Sequence, residues 1–345
     1  MSGTSLDGLD LAMTTFEQNK GEWKYEIGQT LTVPYTKEVS AQLKNATQLS
    51  AAQLTKLDIL LGNLIGQAIL ENISDLHLID FIASHGHTIF HQPQKGISLQ
   101  IGNAKQIFEL TKRPVISDFR SLDVSLGGNG APLVPIGDQL LFSDYEFFLN
   151  LGGIANCSFY LKDSIEAYDI MPFNMVLNRL ADKLNLLFDK DGKMSKSGKL
   201  DTELLLELDG IDYYQQPYPK SLGYEDFNSN WLPILNNSGA TIADQMNTYC
   251  VHAAQIISAE LNAQLKNGNE RVLVTGGGAY HKYFISLLEE KFQGEVVVPS
   301  RELIEFKEAI IFGFLGVLRF ESLTNCLSSV TGALQNSSGG TMTGF

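Results

Sequence analysis

From Leu9 to Phe16 apolar and polar residues alternate loosely, and the alternation returns over 22–35 after the polar stretch at 18–21. Two strands joined by a turn are predicted, because successive strand side chains face opposite sides. From 36 to 73 the period lengthens. Leu54, Leu57, Leu61, Leu64, Ile65 and Ala68 fall three and four apart, the spacing of a helix with one apolar face. Short apolar runs at 78–86 and 113–119 read as buried strands, the first entering a glycine loop. The stretch 146–161, EFFLNLGGIANCSFYL, predicts strand, Gly-Gly turn, strand. Helices are predicted over 173–188 and 243–265, a polar loop over 189–199, and strand, glycine loop and helix over 271–292. The run 308–320 is apolar on every side, so it predicts a buried helix. The glycine- and serine-rich tail from 328 onward is expected to pack only lightly. Strands alternating with helices give an α/β fold.

The chain has 345 residues, a length that fits two domains, and 44% hydrophobic residues, enough for a large core. A net charge of −14 repels phosphate backbones and predicts no nucleic-acid partner. Cys157, Cys250 and Cys326 are odd in number and far apart, which fits a reducing compartment. The start carries no secretory signal, and the apolar run Ala309–Leu318 is too short to span a bilayer. A cytoplasmic protein with no membrane partner is expected.

Three glycine-rich turns adjoin strands: 2–8 (SGTSLDG), 151–156 (LGGIAN) and 275–280 (TGGGAY). Backbone N–H groups in such turns can meet phosphate oxygens with no Cβ in the way. Thr4 and Ser5 add hydroxyls, Asp7 adds a carboxylate suited to Mg²⁺, and the third turn opens a helix. The stretch GKMSKSGKL is not a P-loop, since Leu200 stands where Ser or Thr is needed. His85, His87 and His91 share a strand period, but Gly86 and Pro93 interrupt it, so structural histidines are expected rather than a metal site. Asp118, Asp169 and Glu308 adjoin apolar elements and are acid–base candidates. The competing roles are turn capping for the two aspartates and first-turn dipole stabilisation for Glu308.

Several stretches together resemble one family: MSGTSLDGLDLA, SHGHTIFHQP, LQIGNA, VISDFRSLDVSLGGNGAPLVP, LNLGGIAN, DKDGKMSKSGK, PKSLGYEDFN, VTGGGAYHKYF and EFKEAIIFGFLGVLR. They are similar to the anhydro-N-acetylmuramic acid kinases, of the actin/hexokinase/Hsp70-like ATPase superfamily. The resemblance implies a two-lobed, ribonuclease H-like fold with mixed sheets, flanking helices and a central cleft. The lobes are expected at 1–127 plus 325–345 and at 128–324. It implies ATP and Mg²⁺ as cofactors, an anhydro sugar acid as substrate, a place in cell-wall recycling and a homodimer.

The implied reaction opens the anhydro bridge of 1,6-anhydro-N-acetylmuramic acid with water and phosphorylates the freed 6-oxygen. The alternatives are a catalytically silent sugar- or nucleotide-binding homologue and a superfamily kinase for another sugar acid. Gly3, Thr4, Ser5, Leu6, Asp7, Gly8, Leu9 and Asp10 correspond to the ATP loop, with Asp7 at the metal, and Gly276, Gly277 and Gly278 to the second nucleotide loop. Asp169 corresponds to the general base and Glu308 to a second carboxylate of the site. Asp118, Arg120 and Asn174 fall on the sugar side. In DIMPFN, Ile170, Met171 and Phe173 replace a threonine and two glycines of the family motif, which is expected to put bulk where backbone approaches the ligand. Leu222 and Tyr224 stand where threonine and arginine are usual. The family also has a strand before the first loop. Here only Met1 and Ser2 precede Gly3, so that loop is expected to be poorly anchored.

Overall fold

The computed structural model describes residues 1–3, 6, 8–161, 164–218 and 220–345. Its strands are β1 (Gly8–Asn19), β2 (Glu22–Pro34), β3 (Ile82–Ser84), β4 (His87–Gln92), β5 (Ile97–Ile101), β6 (Val115–Ser117), β7 (Phe147–Leu151), β8 (Ile154–Leu161), β9 (Ser164–Pro172), β10 (Arg271–Thr275), β11 (Glu295–Val297) and β12 (Thr341–Thr343). With the helices between them they make a mixed α/β protein in two compact units. The first comprises 1–142 and 306–345, the second 143–305. The expected boundaries, 127/128 and 324/325, lie elsewhere. Helix Val134–Leu141 packs with β2 in the first unit, which carries the break past it to 142/143.

In the first unit β1 and β2 form an antiparallel hairpin, turned at Lys20 and Gly21, both with positive φ. Gly8 is required there, because a Cβ would lie 2.6 Å from the Val33 carbonyl oxygen. Strands β12, β6 and β3 make a second sheet and β4–β5 a second hairpin. Ser50 caps helix Ala51–Asn72 in a capping box with Gln53. Its apolar face (Leu57, Leu61, Ile65, Ile69) packs with Ile101, Ile107 and Val115. Each such side chain, once buried, contributes about 1.5–3 kcal/mol.

The tail corrects the sequence expectation, because it is built into this unit. β12 pairs antiparallel with β6. The buried Asp123 accepts from Gly130 N–H at 2.7 Å, from the Thr331 hydroxyl at 2.7 Å and from the Cys326 thiol at 3.1 Å. A buried carboxylate with several donors outweighs the flexibility that the composition implied.

In the second unit the strand order is β11-β10-β7-β8-β9, parallel across β11, β10 and β7 and antiparallel from β7 to β9. Helix Ile242–Ala263 runs through its core, with Tyr249, Ala253, Ile257 and Leu261 fully buried beside Phe159, Trp231 and Phe284. The expected polar loop at 189–199 contains a helical turn, Lys193–Ser197. Asp189 organises it by accepting from Met194 N–H, Ser195 N–H and the Ser195 hydroxyl at 2.7–2.8 Å. Among the described residues no helix is long and apolar enough to cross a membrane.

Candidate active site

In the second unit the carboxyl ends of the parallel neighbours β7 and β10 each run into glycines, Gly152–Gly153 and Gly276–Gly278. In open α/β sheets this end of the strands is where ligands bind. Gly276 has φ +80, and a Cβ there would lie 2.5 Å from Asn150 Oδ1. A Cβ on Gly278 would lie 2.6 Å from the Phe173 ring. The glycines therefore let three segments meet. The third turn does not lead straight into a helix, as its sequence predicted. A 3₁₀ turn, Gly277–Tyr280, intervenes, and helix Lys282–Lys291 begins behind the His281 cap.

Asn174, the first residue of helix Asn174–Asp182, donates its side-chain N–H to the Leu151 carbonyl at 2.8 Å, and its backbone N–H goes to the Gly152 carbonyl at 3.1 Å. The Gly-Gly turn thus holds the end of the segment that carries Asp169. Asp169 sits in β9 opposite Asn156, beside a bulge. Its Oδ2 accepts from Leu222 N–H at 2.9 Å, and its carbonyl accepts from the Tyr213 hydroxyl at 2.7 Å. Burial pushes its carboxyl above the ordinary range, with the Leu222 N–H pulling the other way.

Ile170, Met171 and Phe173 overturn an expectation. All three are 0% exposed and belong to the second unit's hydrophobic core, where Phe173 meets Phe284 edge to face at 4.5 Å. Their bulk fills the interior rather than a ligand position. Leu222 is also buried, while Tyr224 faces solvent.

In the first unit the opening loop lies ahead of β1. Thr4, Ser5 and Asp7, predicted ligands, lie outside the described residues. Gly3 and Leu6 are joined by a Leu6 N–H to Gly3 carbonyl bond at 3.4 Å, and the Ser40 hydroxyl donates to the Leu6 carbonyl at 3.0 Å. Ser2 bridges to Leu9, Asp10 N–H donates to the Met1 carbonyl at 2.9 Å, and Asp10 Oδ1 accepts from the Thr32 hydroxyl at 2.6 Å.

Glu308 lies in the middle of helix Arg301–Phe320, not in its first turn, so the dipole role expected of it falls to Glu302. Desolvation by neighbouring protein raises its carboxyl, although the residue is itself exposed. Arg120 and Lys307 oppose that rise and Asp10 adds to it. Glu308, Asp10 and Arg120 thus form one charge cluster in this unit. Lys307 pairs with the buried Asp138 at 2.7 Å.

Arg120 is not free to turn. His85 Nε2 accepts from its Nε at 3.1 Å and meets NH2 at 2.9 Å, the Gly130 carbonyl accepts from NH1 at 2.7 Å, and its guanidinium lies 5.7 Å from the Phe312 ring centre. Burial first, and the Arg120 charge second, hold His85 down at about 3, so His85 is a neutral acceptor. His87 meets the Ser2 hydroxyl at 3.0 Å and His91 that of Ser98 at 3.2 Å. The histidines are hydrogen-bonded as expected, and among the described residues no group of three or more His, Cys, Asp or Glu forms a metal cluster. Asp118 has φ +56, uncommon outside glycine, and its Oδ1 caps Ser121 N–H at 3.1 Å. The structure thus adds His85, Tyr213 and Leu222, which act on predicted residues. The SHGH and PKSLG stretches carried that signal in their resemblance, not in their chemistry.

Glycine turns at the carboxyl ends of two parallel strands, with a raised carboxyl on β9 of the same sheet, are the arrangement expected of a ligand-binding α/β protein. The comparisons with known proteins give the particular family. The chain belongs to the anhydro-N-acetylmuramic acid kinase family, whose model matches residues 1–344. The protein of that name from Francisella tularensis subsp. novicida (strain U112) is 35% identical over 359 residues, covering 96% of this chain and 94% of that protein. Its counterpart from Pseudomonas syringae pv. syringae (strain B728a) is 33% identical over 351 residues, again covering 96% and 94%. That from Sulfurimonas denitrificans (strain ATCC 33889 / DSM 1251) is 32% identical over 359 residues, covering 98% and 96%.

Proposed function

We propose that the protein is an ATP-dependent kinase of 1,6-anhydro-N-acetylmuramic acid, and that Asp169 is its general base. The carrying observation is Asp169 itself: a half-buried carboxylate, raised in pKa, on the strand β9 whose end is tied to the Gly152–Gly153 turn, in a chain that the family model matches over residues 1–344. A raised carboxylate is a stronger base at neutral pH than a solvated one. Asp169 takes a proton from water, the water oxygen bonds to the anomeric carbon, and the bond from that carbon to the 6-oxygen breaks. The 6-oxygen then attacks the γ-phosphorus of ATP and ADP leaves. The product is N-acetylmuramic acid 6-phosphate.

Gly3–Asp10 and Gly276–Gly278 are the nucleotide loops of this reading, while Asp118, Arg120 and Asn174 serve the sugar. Arg120, pinned by His85 and Gly130, offers its remaining N–H groups to the sugar acid carboxylate, a geometry that guanidinium suits. Glu308 supports the water or the charge balance of the site. A nucleotide-bound Mg²⁺ takes only one or two protein carboxylates, so no preformed cluster is needed, and Asp7 is its ligand in this reading, with the interacting charges of Asp10 and Glu308 in the same unit. When bound, Mg²⁺ would neutralise phosphate charge. A cytoplasmic homodimer completes the proposal and is checked by sedimentation equilibrium.

The test is ADP release coupled to mass spectrometry of the sugar, with MgATP and 1,6-anhydro-N-acetylmuramic acid. Stoichiometric ADP and sugar 6-phosphate are expected. ADP-free, unchanged sugar would refute the proposal.

A further inference from the structure

The segment Lys220–Leu222 touches the candidate base twice. Asp169 N–H donates to the Lys220 carbonyl at 3.1 Å, and Leu222 N–H donates to Asp169 Oδ2 at 2.9 Å. What fixes this segment is the Lys220 side chain, only 2% exposed. Its ammonium lies 5.1 Å from the ring centres of Tyr213 and Tyr218 and 5.9 Å from that of Tyr168. It donates to the Tyr214 carbonyl at 3.4 Å and to Glu260 Oε1 at 3.5 Å. Glu260, on helix Ile242–Ala263, is fixed in turn. Its Oε2 accepts from the Tyr168 hydroxyl at 3.0 Å and from the Tyr218 hydroxyl, and the two rings stack at 4.3 Å. A buried ammonium is costly without such partners, and here three ring faces and a carboxylate supply them.

We propose that Lys220 and Glu260 are positioning residues, which clamp the Lys220–Leu222 segment so that the Leu222 N–H stays on the Asp169 carboxylate. Neither touches the reacting atoms. The N–H bond stabilises the charged form of Asp169, so loss of the clamp removes a hydrogen bond and the carboxyl titrates at higher pH. The other titratable groups around this place are Cys157 on β8, Tyr168 on β9, Tyr213, and Asp226 beyond the segment. This inference rests on the reading of Asp169 as the base, and its test separates the two.

Lys220→Met, Glu260→Gln and Tyr218→Phe are compared by the pH dependence of kcat and by carbon-13 NMR titration of the Asp169 carboxyl in the substrate-free protein. Tyr218 is exposed, and its variant removes only a hydroxyl, so it stays informative if a buried variant does not fold. Clamping predicts that the acid limb and the carboxyl titration move to higher pH in every variant. It also predicts roughly tenfold lower kcat below the limb in the two clamp variants, as expected for one lost bond to a charged acceptor. Plain electrostatics predicts opposite signs, up when the cation goes and down when the anion goes. A downward move in Glu260→Gln, or no move in Tyr218→Phe and Lys220→Met, overturns the clamp. If Asp169→Asn keeps full turnover, the base reading falls, while the NMR titration still decides the clamp.

Discussion

The Gly152–Gly153 turn and the opening loop before β1 look alike in sequence, each glycine-rich and each leading into an apolar strand. Their supports differ. The Gly152–Gly153 turn joins β7 to β8, and β7 is flanked by β10 on its other side, so main-chain bonds hold the turn from both strands. The carbonyls of Gly152 and Gly153 also take three N–H groups from Phe173, Asn174 and Met175. Among the described residues the opening loop is held by the Met1–Ser2 pairing with Leu9–Asp10, by the contact of the Ser2 hydroxyl with His87 and by the Ser40 hydroxyl on the Leu6 carbonyl. A glycine turn gains precision from what its flanking strands pair with, not from its own residues.

The chemistry of the two regions gives the largest contrast. Asp169→Asn should lower kcat by about 10²–10⁴-fold. Glu308→Gln should lower it by roughly tenfold, about one hydrogen bond to a charged group. ATP affinity by calorimetry should persist in Asp169→Asn, and equal rate losses would erase the distinction between base and supporting carboxylate.

Next comes the packing behind the Gly152–Gly153 region. Phe173→Ala should cost about 3–5 kcal/mol of stability, because it opens a cavity under Gly278. If Phe173→Leu instead changed KM with unaltered unfolding, Phe173 would belong to the ligand pocket and not to the core.

The glycines themselves come third. Gly276→Ala meets backbone as well as a positive φ, so about 2–4 kcal/mol is expected in urea unfolding. Gly8→Ala meets the Val33 carbonyl and the Thr32 methyl but no positive φ, and about 1–3 kcal/mol is expected. A larger loss at Gly8 would reverse the ranking of the two supports.

The smallest effect is a pH dependence confined to the second unit. Burial pushes Asp189 up, but donors from His281, Ser195 and Met194 outweigh it and hold the carboxyl at about 2. A depressed carboxyl contributes stability above its unfolded value near 4, and that stability is lost as pH falls through about 2. Asp189→Asn should therefore flatten the acid side of the unfolding profile, read by melting temperature between pH 2 and 5. A profile as steep as that of the parent protein would remove Asp189 from that role.

Local pattern was enough for the β1–β2 hairpin, the helix at 51–72, the buried helix through 308–320 and the Gly-Gly turn, because period and glycine placement act within a few residues. The motif stretches carried the family, and with it the proposal that Asp169, Glu308 and the glycine loops serve the site. Distant partners were not legible. Asp123 holds a tail that begins some two hundred residues later, and composition alone implied looseness there. His85 fixes Arg120 across 35 residues, and Leu222 reaches Asp169 across 53. DIMPFN shows the limit most clearly, since its letters predicted bulk beside a ligand. The bulge in β9 and the closeness of Phe284 turned Ile170, Met171 and Phe173 inward instead. The sequence by itself determined which residues have the chemistry. Tertiary structure decided which way their neighbours point, because burial and hydrogen-bond satisfaction are settled only when segments far apart in the chain pack together.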